Sequence, residues 1–320
     1  MPKAIKNYKL ISEFCNENSG FSRWAFAEKN GEIFFIKEFL SPVFPNEDAP
    51  ISLVVRNSKI KDCEEFEKRK RRLYSVLKES ETGNIISVID FFRFKSKYYI
   101  VTEKVEIVKN HVQMVSKLSE ENKIIVLKVL AHSLCMLHSK GIVHSDLKPN
   151  NILVKETIKG RYTAKIIDFD SSFLIDDPPK DCEELNGDLV YFAPEALLFM
   201  TNGSNIDYKI DVFSLGIIFH EFYAGTLPKF SEKYAYIFET VLSDGNLQLD
   251  STLPIPIAKL IREMLHKDPT KRPDLSKVFD RLAIVETISA VDTMPLEREA
   301  SEAISAMKEK SGYWKIPDEL

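Results

Sequence analysis

At 320 residues the chain is long enough to bury a substantial core as one large domain or two medium ones. Its residues are 44% hydrophobic and 29% charged, ordinary for a globular protein, and a formal net charge of -4 supplies no global attraction to nucleic acid or an anionic membrane surface. The scattered Cys15, Cys63, Cys135 and Cys182 contain no C-x-x-C pair and are too few for a disulfide framework, and neither a signal core nor a run of about 18 apolar residues occurs, so the expectation is a cytoplasmic chain without membrane contact.

The first hundred residues are strand-rich. Tyr8 to Phe14, Arg23 to Glu28 and Glu32 to Phe39 are β-prone, and Asn30-Gly31 between the last two is a hairpin turn signal. A loop follows around Pro42, Pro45 and Pro50. Phe66, Leu73, Val76 and Leu77 then recur at helical spacing and predict an amphipathic helix over 59–80. Its basic run, Lys68 to Arg72, follows Glu64, Glu65 and Glu67 and reads as a solvated helix face rather than a nucleic-acid contact. Ile85 to Phe94 and Tyr98 to Glu103 are two further strands about the turn Lys95-Ser96-Lys97. Beyond residue 105 the pattern becomes helical, over Glu120 to His138, Ile210 to Ala224, Tyr234 to Leu242 and Ile257 to Leu265. From about residue 285, Ile288, Leu296, Ile304 and Met307 among charged residues fit one or two amphipathic tail helices, with Trp314 as an anchor for packing or for a protein partner. A strand-rich half followed by a helix-rich half points to two lobes with a ligand cleft between them.

The chemistry concentrates in His144-Ser145-Asp146-Leu147-Lys148-Pro149-Asn150-Asn151, a polar loop running into apolar Ile152, Leu153 and Val154. Asp168 lies seventeen residues beyond Asn151, after Ile166-Ile167 and before Phe169. Phosphoryl transfer from ATP needs carboxylate and amide oxygens for Mg²⁺, a cation for the phosphates and a base at the acceptor hydroxyl. These residue types can supply each of them.

Over roughly residues 8–283 the sequence resembles the eukaryotic-type (Hanks-type) serine/threonine protein kinase family: His144, Asp146, Lys148 and Asn151 match its catalytic loop, Asp168-Phe169 its metal-binding pair, and Ala193-Pro194-Glu195 the end of its activation segment. Asp211 to Gly216 is similar to the helix start that supports the catalytic loop, and Arg272 to the arginine that pairs with Glu195. The resemblance implies an α+β fold of two lobes, an N-lobe antiparallel sheet plus one helix over residues 1–103 and a mostly helical C-lobe over 104–284, with 285–320 as a helical tail. It implies an enzyme that uses ATP and Mg²⁺ on a serine or threonine of a protein substrate. Asp146 takes the place of the base, Asn151 and Asp168 of the metal ligands, and Lys37 of the ATP lysine, with Glu67 (second choice Glu64) as its helix partner. Ser19, Gly20, Phe35, Thr102, Glu103, Val105 and Leu153 complete the nucleotide-binding set, with Thr102 as gatekeeper and Glu103 to Val105 as hinge.

Four positions depart from that pattern. Asn16 to Trp24 offers one glycine, Gly20, where a glycine-rich loop is usual. Phe35 stands where a small alanine covers adenine, and a ring facing the pocket would partly fill it. Ser145 replaces the arginine before the catalytic Asp, while the stretch between Phe173 and Tyr191 has no Ser or Thr, so the family's phosphate-dependent ordering of that segment is not implied. Asp170 replaces a glycine, and Asp188 a threonine whose carboxylate substitute is expected to repel Asp146 or claim Lys148. Against the kinase reading stands a second, a pseudokinase scaffold or binding module.

Overall fold

The computed structural model describes residues 4–16, 22–80, 83–105, 111–157, 160–182, 184–243 and 245–292, with side chains to residue 285. Ser19, Gly20 and the tail beyond 292 lie outside the described residues.

Six strands form one antiparallel sheet: β1 (Ala4–Ile5), β2 (Tyr8–Leu10), β3 (Ser22–Lys29), β4 (Glu32–Phe39), β5 (Val88–Phe94) and β6 (Lys97–Glu103), in the order β1-β2-β3-β4-β6-β5. The β3–β4 hairpin closes at Asn30-Gly31, whose φ values of 54° and 85° are the double left-handed turn that matches the twist of paired strands. Alternation sorts the side chains of these two strands. Ala25, Ala27 and Ile36 are buried on one face with Tyr8, Phe92, Tyr99 and Val101. Trp24, Phe26, Phe35 and Lys37 occupy the other face, where Phe35 lies opposite Thr102 and Lys37 opposite Ile100. The predicted strands over Tyr8 to Phe14 and Ile85 to Phe94 are shorter than expected, and Ile85 makes a separate parallel bridge to Ile166.

Helix α1 runs from Leu53 to Lys78, starting six residues earlier than its periodicity indicates. Ser52 caps it by accepting the Val55 N–H, and Arg56 binds the carbonyls of Asn46, Glu47 and Ala49, fixing the Pro-rich loop. Leu53 and Val54 are exposed, so that first turn carries no burial pattern to read.

The helical half comprises α2 (His111–Ser116), α3 (Glu120–Ser139), α4 (Pro194–Asn202), α5 (Lys209–Ala224), α6 (Ile237–Leu242), α7 (Ile255–Met264) and α8 (Leu275–Asp292). Between α3 and α4 lie short strands β7 (Ile142–Val143), β8 (Ile152–Glu156), β9 (Tyr162–Ile166) and β10 (Phe173–Leu174), paired as β8–β9 and β7–β10. Every residue of α5 from Lys209 to Tyr223 is buried, which makes this helix the axis of the lobe. The result is the two-lobed protein-kinase fold, an antiparallel sheet with one helix above a helical lobe. No helix among the described residues is long and apolar enough to cross a membrane.

The lobe is pinned by Glu195 and Arg272, which meet in a two-point contact at 2.5 and 2.7 Å with the arginine side chain fully buried. Arg272 also donates to the carbonyls of His266 and Lys209, so its donors have protein partners in place of water. Truncating it leaves Glu195 buried without a counter-charge. Arg272→Ala is therefore expected to lower stability by roughly 3–5 kcal/mol in urea unfolding. Removing the exposed Lys6–Asp90 pair by Lys6→Ala should cost about 1 kcal/mol or less.

Candidate active site

The loop between β7 and β8 is set by one carboxylate from the helical lobe. Asp211, near the start of α5 and almost wholly buried, accepts the backbone N–H of His144 at 2.8 Å and of Ser145 at 2.9 Å, and contacts His138 Nε2 at 2.9 Å. Ser145 turns through φ +71°, a left-handed conformation costly for a residue with a Cβ, and the Asp211 bond to its N–H helps to hold it there. A close approach follows: a Cβ on Gly187 would lie 2.3 Å from the Phe192 ring and 3.2 Å from the Ser145 carbonyl, so only glycine fits between them.

This geometry presents the Asp146 carboxylate with donors on several sides. Lys148 Nζ lies 2.9 Å from Asp146 Oδ2, Asn151 Nδ2 donates to the same oxygen at 3.1 Å, and Asp188 N–H donates to Oδ1 at 3.0 Å. Lys148 pairs with Asp146, and the carboxylate of Asp188 has a partner of its own. Its side chain turns back to accept the Val190 N–H at 3.1 Å, and Asp188 meets Asp146 through its backbone donor. Asn151 is buried, and its carbonyl accepts the Ile167 N–H, which places Asp168 beside the loop. His144 contacts the Ile167 carbonyl through Nε2 and packs its ring 4.9 Å from that of Phe169, while Asp168 itself takes φ +66°.

Lys37 reaches across from β4 into this cluster, 2.6 Å from Asp168 Oδ1 and 2.9 Å from Asp170 Oδ2. Burial pulls the Lys37 ammonium toward neutrality, but the two carboxylates outweigh it and hold the proton above the ordinary lysine range. Burial acts on Asp168 in the opposite sense, and Lys37 overcomes it, keeping that carboxyl below its ordinary range.

The expected helix partners of Lys37 are elsewhere. Glu67 pairs with Arg71 one turn on, at 2.6 Å, and Glu64 is exposed. The helix instead turns Lys70 inward, where its ammonium donates to the Asp170 carbonyl. Burial lowers the Lys70 proton affinity to about 8, with Asp170 opposing.

The basic run is thus solvated only in part: Lys68, Arg71 and Arg72 are exposed, while Arg69 and Lys70 are half-buried against the segment after Asp168. Arg69 bridges Asp177 at 3.1 Å and Glu184 at 2.7 Å and donates to the carbonyls of Asp177 and Pro178; Arg72 pairs with Asp176, and Glu65 with Lys180. The acidic stretch that follows Asp168 is thus clamped to α1 by charge. Between them lies a cavity of about 340 Å³ lined by Phe66, Lys70, Leu73, Asp170 and Phe173 among others. The sequence signal for this clamp is the match of a basic run with an acidic run a hundred residues away, which helical periodicity cannot reveal.

On the sheet side, Phe35 projects from the same face as Lys37 and stacks on Trp24 at 5.3 Å and 26°, with Phe26 edge-on at 6.0 Å. Thr102 donates to the Glu103 carbonyl, and the Glu103 side chain accepts from Ser87 N–H and from Lys165. Lys165 lies on β9 opposite Leu153, and Leu153 and Val105 are both half-buried.

Residues 52–282 match the protein kinase domain family, so the chain belongs to that family. Lys37 and the loop before it lie ahead of the matched stretch. The chain is 29% identical over 209 residues to sperm motility kinase 2B of Mus musculus, covering 64% of this chain and 41% of that protein. It is 26% identical over 235 residues to a probable serine/threonine-protein kinase of Clostridium perfringens, covering 71% and 33%. To serine/threonine-protein kinase ULK3 of Xenopus laevis it is 28% identical over 190 residues, covering 58% and 39%. The chain thus spans less than half the length of these relatives.

A titratable contact ties the segment's end to α5. The Tyr191 hydroxyl donates to Glu221 Oε2 at 2.7 Å, and burial, with Asp188 nearby, lifts the Glu221 carboxyl to about 7. A carboxyl whose proton is held more tightly in the folded than in the unfolded state contributes its stability fully below the ordinary value of 4.5 and loses it as pH rises to about 7. Between pH 5 and 7 the native protein should therefore lose about 2 kcal/mol relative to Glu221→Gln. Parallel urea unfolding of the two proteins at both pH values measures the difference.

Proposed function

We propose that this chain is an ATP-dependent serine/threonine protein kinase. The reading rests above all on the Asp146 carboxylate, held by Lys148 and Asn151 of its own loop and by the Asp188 N–H of the later segment, beside Asp168 and its partner Lys37. Asn151 and Asp168 offer oxygen donors only, the chemistry Mg²⁺ selects, and Lys37 offers an ammonium for phosphate. When bound, MgATP supplies the phosphoryl group and the metal charge that screens it.

Asp146 would accept the proton of the incoming hydroxyl as its oxygen bonds to the γ-phosphorus and the bond from that phosphorus to the ADP oxygen breaks. Its three donors fix the direction of the carboxylate lone pairs, and Lys148 moderates the negative charge the base shares with the phosphates. Thr102, Glu103, Val105 and Leu153 are the adenine-side residues in this reading, with Ser19 and Gly20 on the phosphate side. Residues 1–103 and 104–284 serve as the two lobes, and the segment from 285 is available to pack or to meet a protein partner. The substrate is a protein hydroxyl in the cytoplasm, and neither nucleic acid nor membrane is involved.

One observation favours the second reading, a binding module with weak nucleotide affinity: the Phe35 ring lies on the cleft face of the sheet with Trp24 and Phe26.

Two variants separate these readings. Asp146→Asn should lower kcat for phosphate transfer from MgATP to a generic protein acceptor by about 10²–10⁴-fold with nucleotide binding retained. An equal rate in the variant rejects Asp146 as base. Phe35→Ala should tighten ATP binding by about tenfold, or ~1.4 kcal/mol, measured by calorimetry. A native chain that transfers no phosphate and binds ATP only as Phe35→Ala belongs to the binding-module reading.

A further inference from the structure

Lys37, Asp168, Asp170 and Lys70 form an alternating charge cluster in which both ends of the usual traffic between helix and sheet are occupied by unexpected residues. Lys37 has two carboxylate neighbours, and neither comes from α1. The glutamates of α1 are directed elsewhere, Glu67 to Arg71 and Glu65 to Lys180. The helix residue that does enter the cluster is a cation, Lys70, and it grips the backbone of Asp170.

We propose that Asp170 is the positioning carboxylate of Lys37 and that Lys70 is its support from the helix, so that the anchor of Lys37 sits on the segment after Asp168 and the cation sits on α1. This deepens the kinase reading and rests on it only for its consequence in catalysis.

Three physical points carry the assignment. The Lys37 ammonium has three N–H donors and reaches a separate carboxylate with two of them, Asp168 at 2.6 Å and Asp170 at 2.9 Å, so Asp170 offers the lysine a partner independent of Asp168. The cluster holds two carboxylates and two ammoniums, so neither cation can be removed without leaving an excess of partly buried negative charge. Asp170 is itself fixed at its carbonyl by Lys70, while Arg69, the residue before Lys70, grips Asp177 and Glu184 further along the same segment. Helix, segment and lysine are thus joined by one continuous set of contacts, through which the placement of α1 bears on Lys37 by way of Asp170.

The arrangement predicts that charge placement, not residue identity, matters at positions 70 and 170. Lys70→Glu puts three carboxylates around Lys37; Asp170→Gly leaves Lys37 with Asp168 alone and frees the space; the double variant moves the anchoring carboxylate onto the helix. Each single variant is expected to raise KM for ATP by tenfold or more with a smaller change in kcat. The double variant should return KM to within about threefold of native, a non-additivity that only coupled sites show. Asp170→Asn, which keeps the shape and removes the charge, should raise KM in the same direction.

The same cycle is read without nucleotide. In thermal unfolding of the nucleotide-free proteins, the losses from Lys70→Glu and Asp170→Gly should sum to more than the loss in the double variant. Coupling there with no phosphate transfer by the native chain retains the ion-pair assignment and rejects the kinase reading. Additive losses in unfolding, or a double variant no better than the worse single one, overturn the assignment whatever the activity. Native KM in Asp170→Asn overturns it as well.

Discussion

The Asp211 carboxylate organises the functional half of the molecule. Two backbone N–H groups of the loop and the imidazole of His138 on α3 converge on it inside the helical lobe, and the loop is thereby held where it places Asp146. A buried carboxylate is tolerable only with such a set of donors, so the loop satisfies Asp211 as much as Asp211 shapes the loop. The left-handed turn at Ser145 and the bare approach of Gly187 are the local cost of that convergence.

A second network ties the upper helix to the segment leaving Asp168. Arg69 and Arg72 meet Asp176, Asp177 and Glu184, while Lys70 reaches deeper to the Asp170 backbone. Carboxylates encoded in the chain thus set negative charge against the arginines of α1, a pairing of the kind an added phosphate can also make. The absence of Ser and Thr between Phe173 and Tyr191 and the serine at 145 fit the same design, since there is neither a group to modify nor an arginine in the loop to receive it. Single surface pairs add little, but several charges sharing partners, partly out of water, hold geometry better than they hold energy.

The cleft face of the sheet adds a constraint of a different kind. Where the strand carries Lys37 inward, the residue two positions earlier must share its face, and here that residue is the aromatic Phe35. Stacking on Trp24 gives the ring a stable resting place among apolar neighbours. In the proposed kinase reading, nucleotide affinity would depend on whether that stack yields space, and phosphate positioning on the separate cluster of Lys37, Asp168 and Asp170.

Much was legible in the chain before any coordinates. The Asn30-Gly31 hairpin, the strand-rich then helix-rich order, the loop from His144 to Asn151 and the Glu195–Arg272 pair all rest on short-range patterns or on motif spacing, and the structure has each of them. Helix α1 exposes the limit. Its hydrophobic spacing located the helix but not its start, because the first turn buries nothing. Nor could spacing tell which of Glu64, Glu67 or Lys70 points into the cluster, because one residue of helical register is 100° of rotation and every charged residue looks solvent-facing in a linear string. The sequence by itself determined the family, the residues of the loop and the order of elements, since these follow from local propensity and fixed residue intervals. Only the tertiary structure decided the partner of Lys37, the inward turn of Lys70, the meeting of the Asp188 N–H with Asp146 and the clamp by Arg69, since each depends on the placement of one element against another far away in the chain.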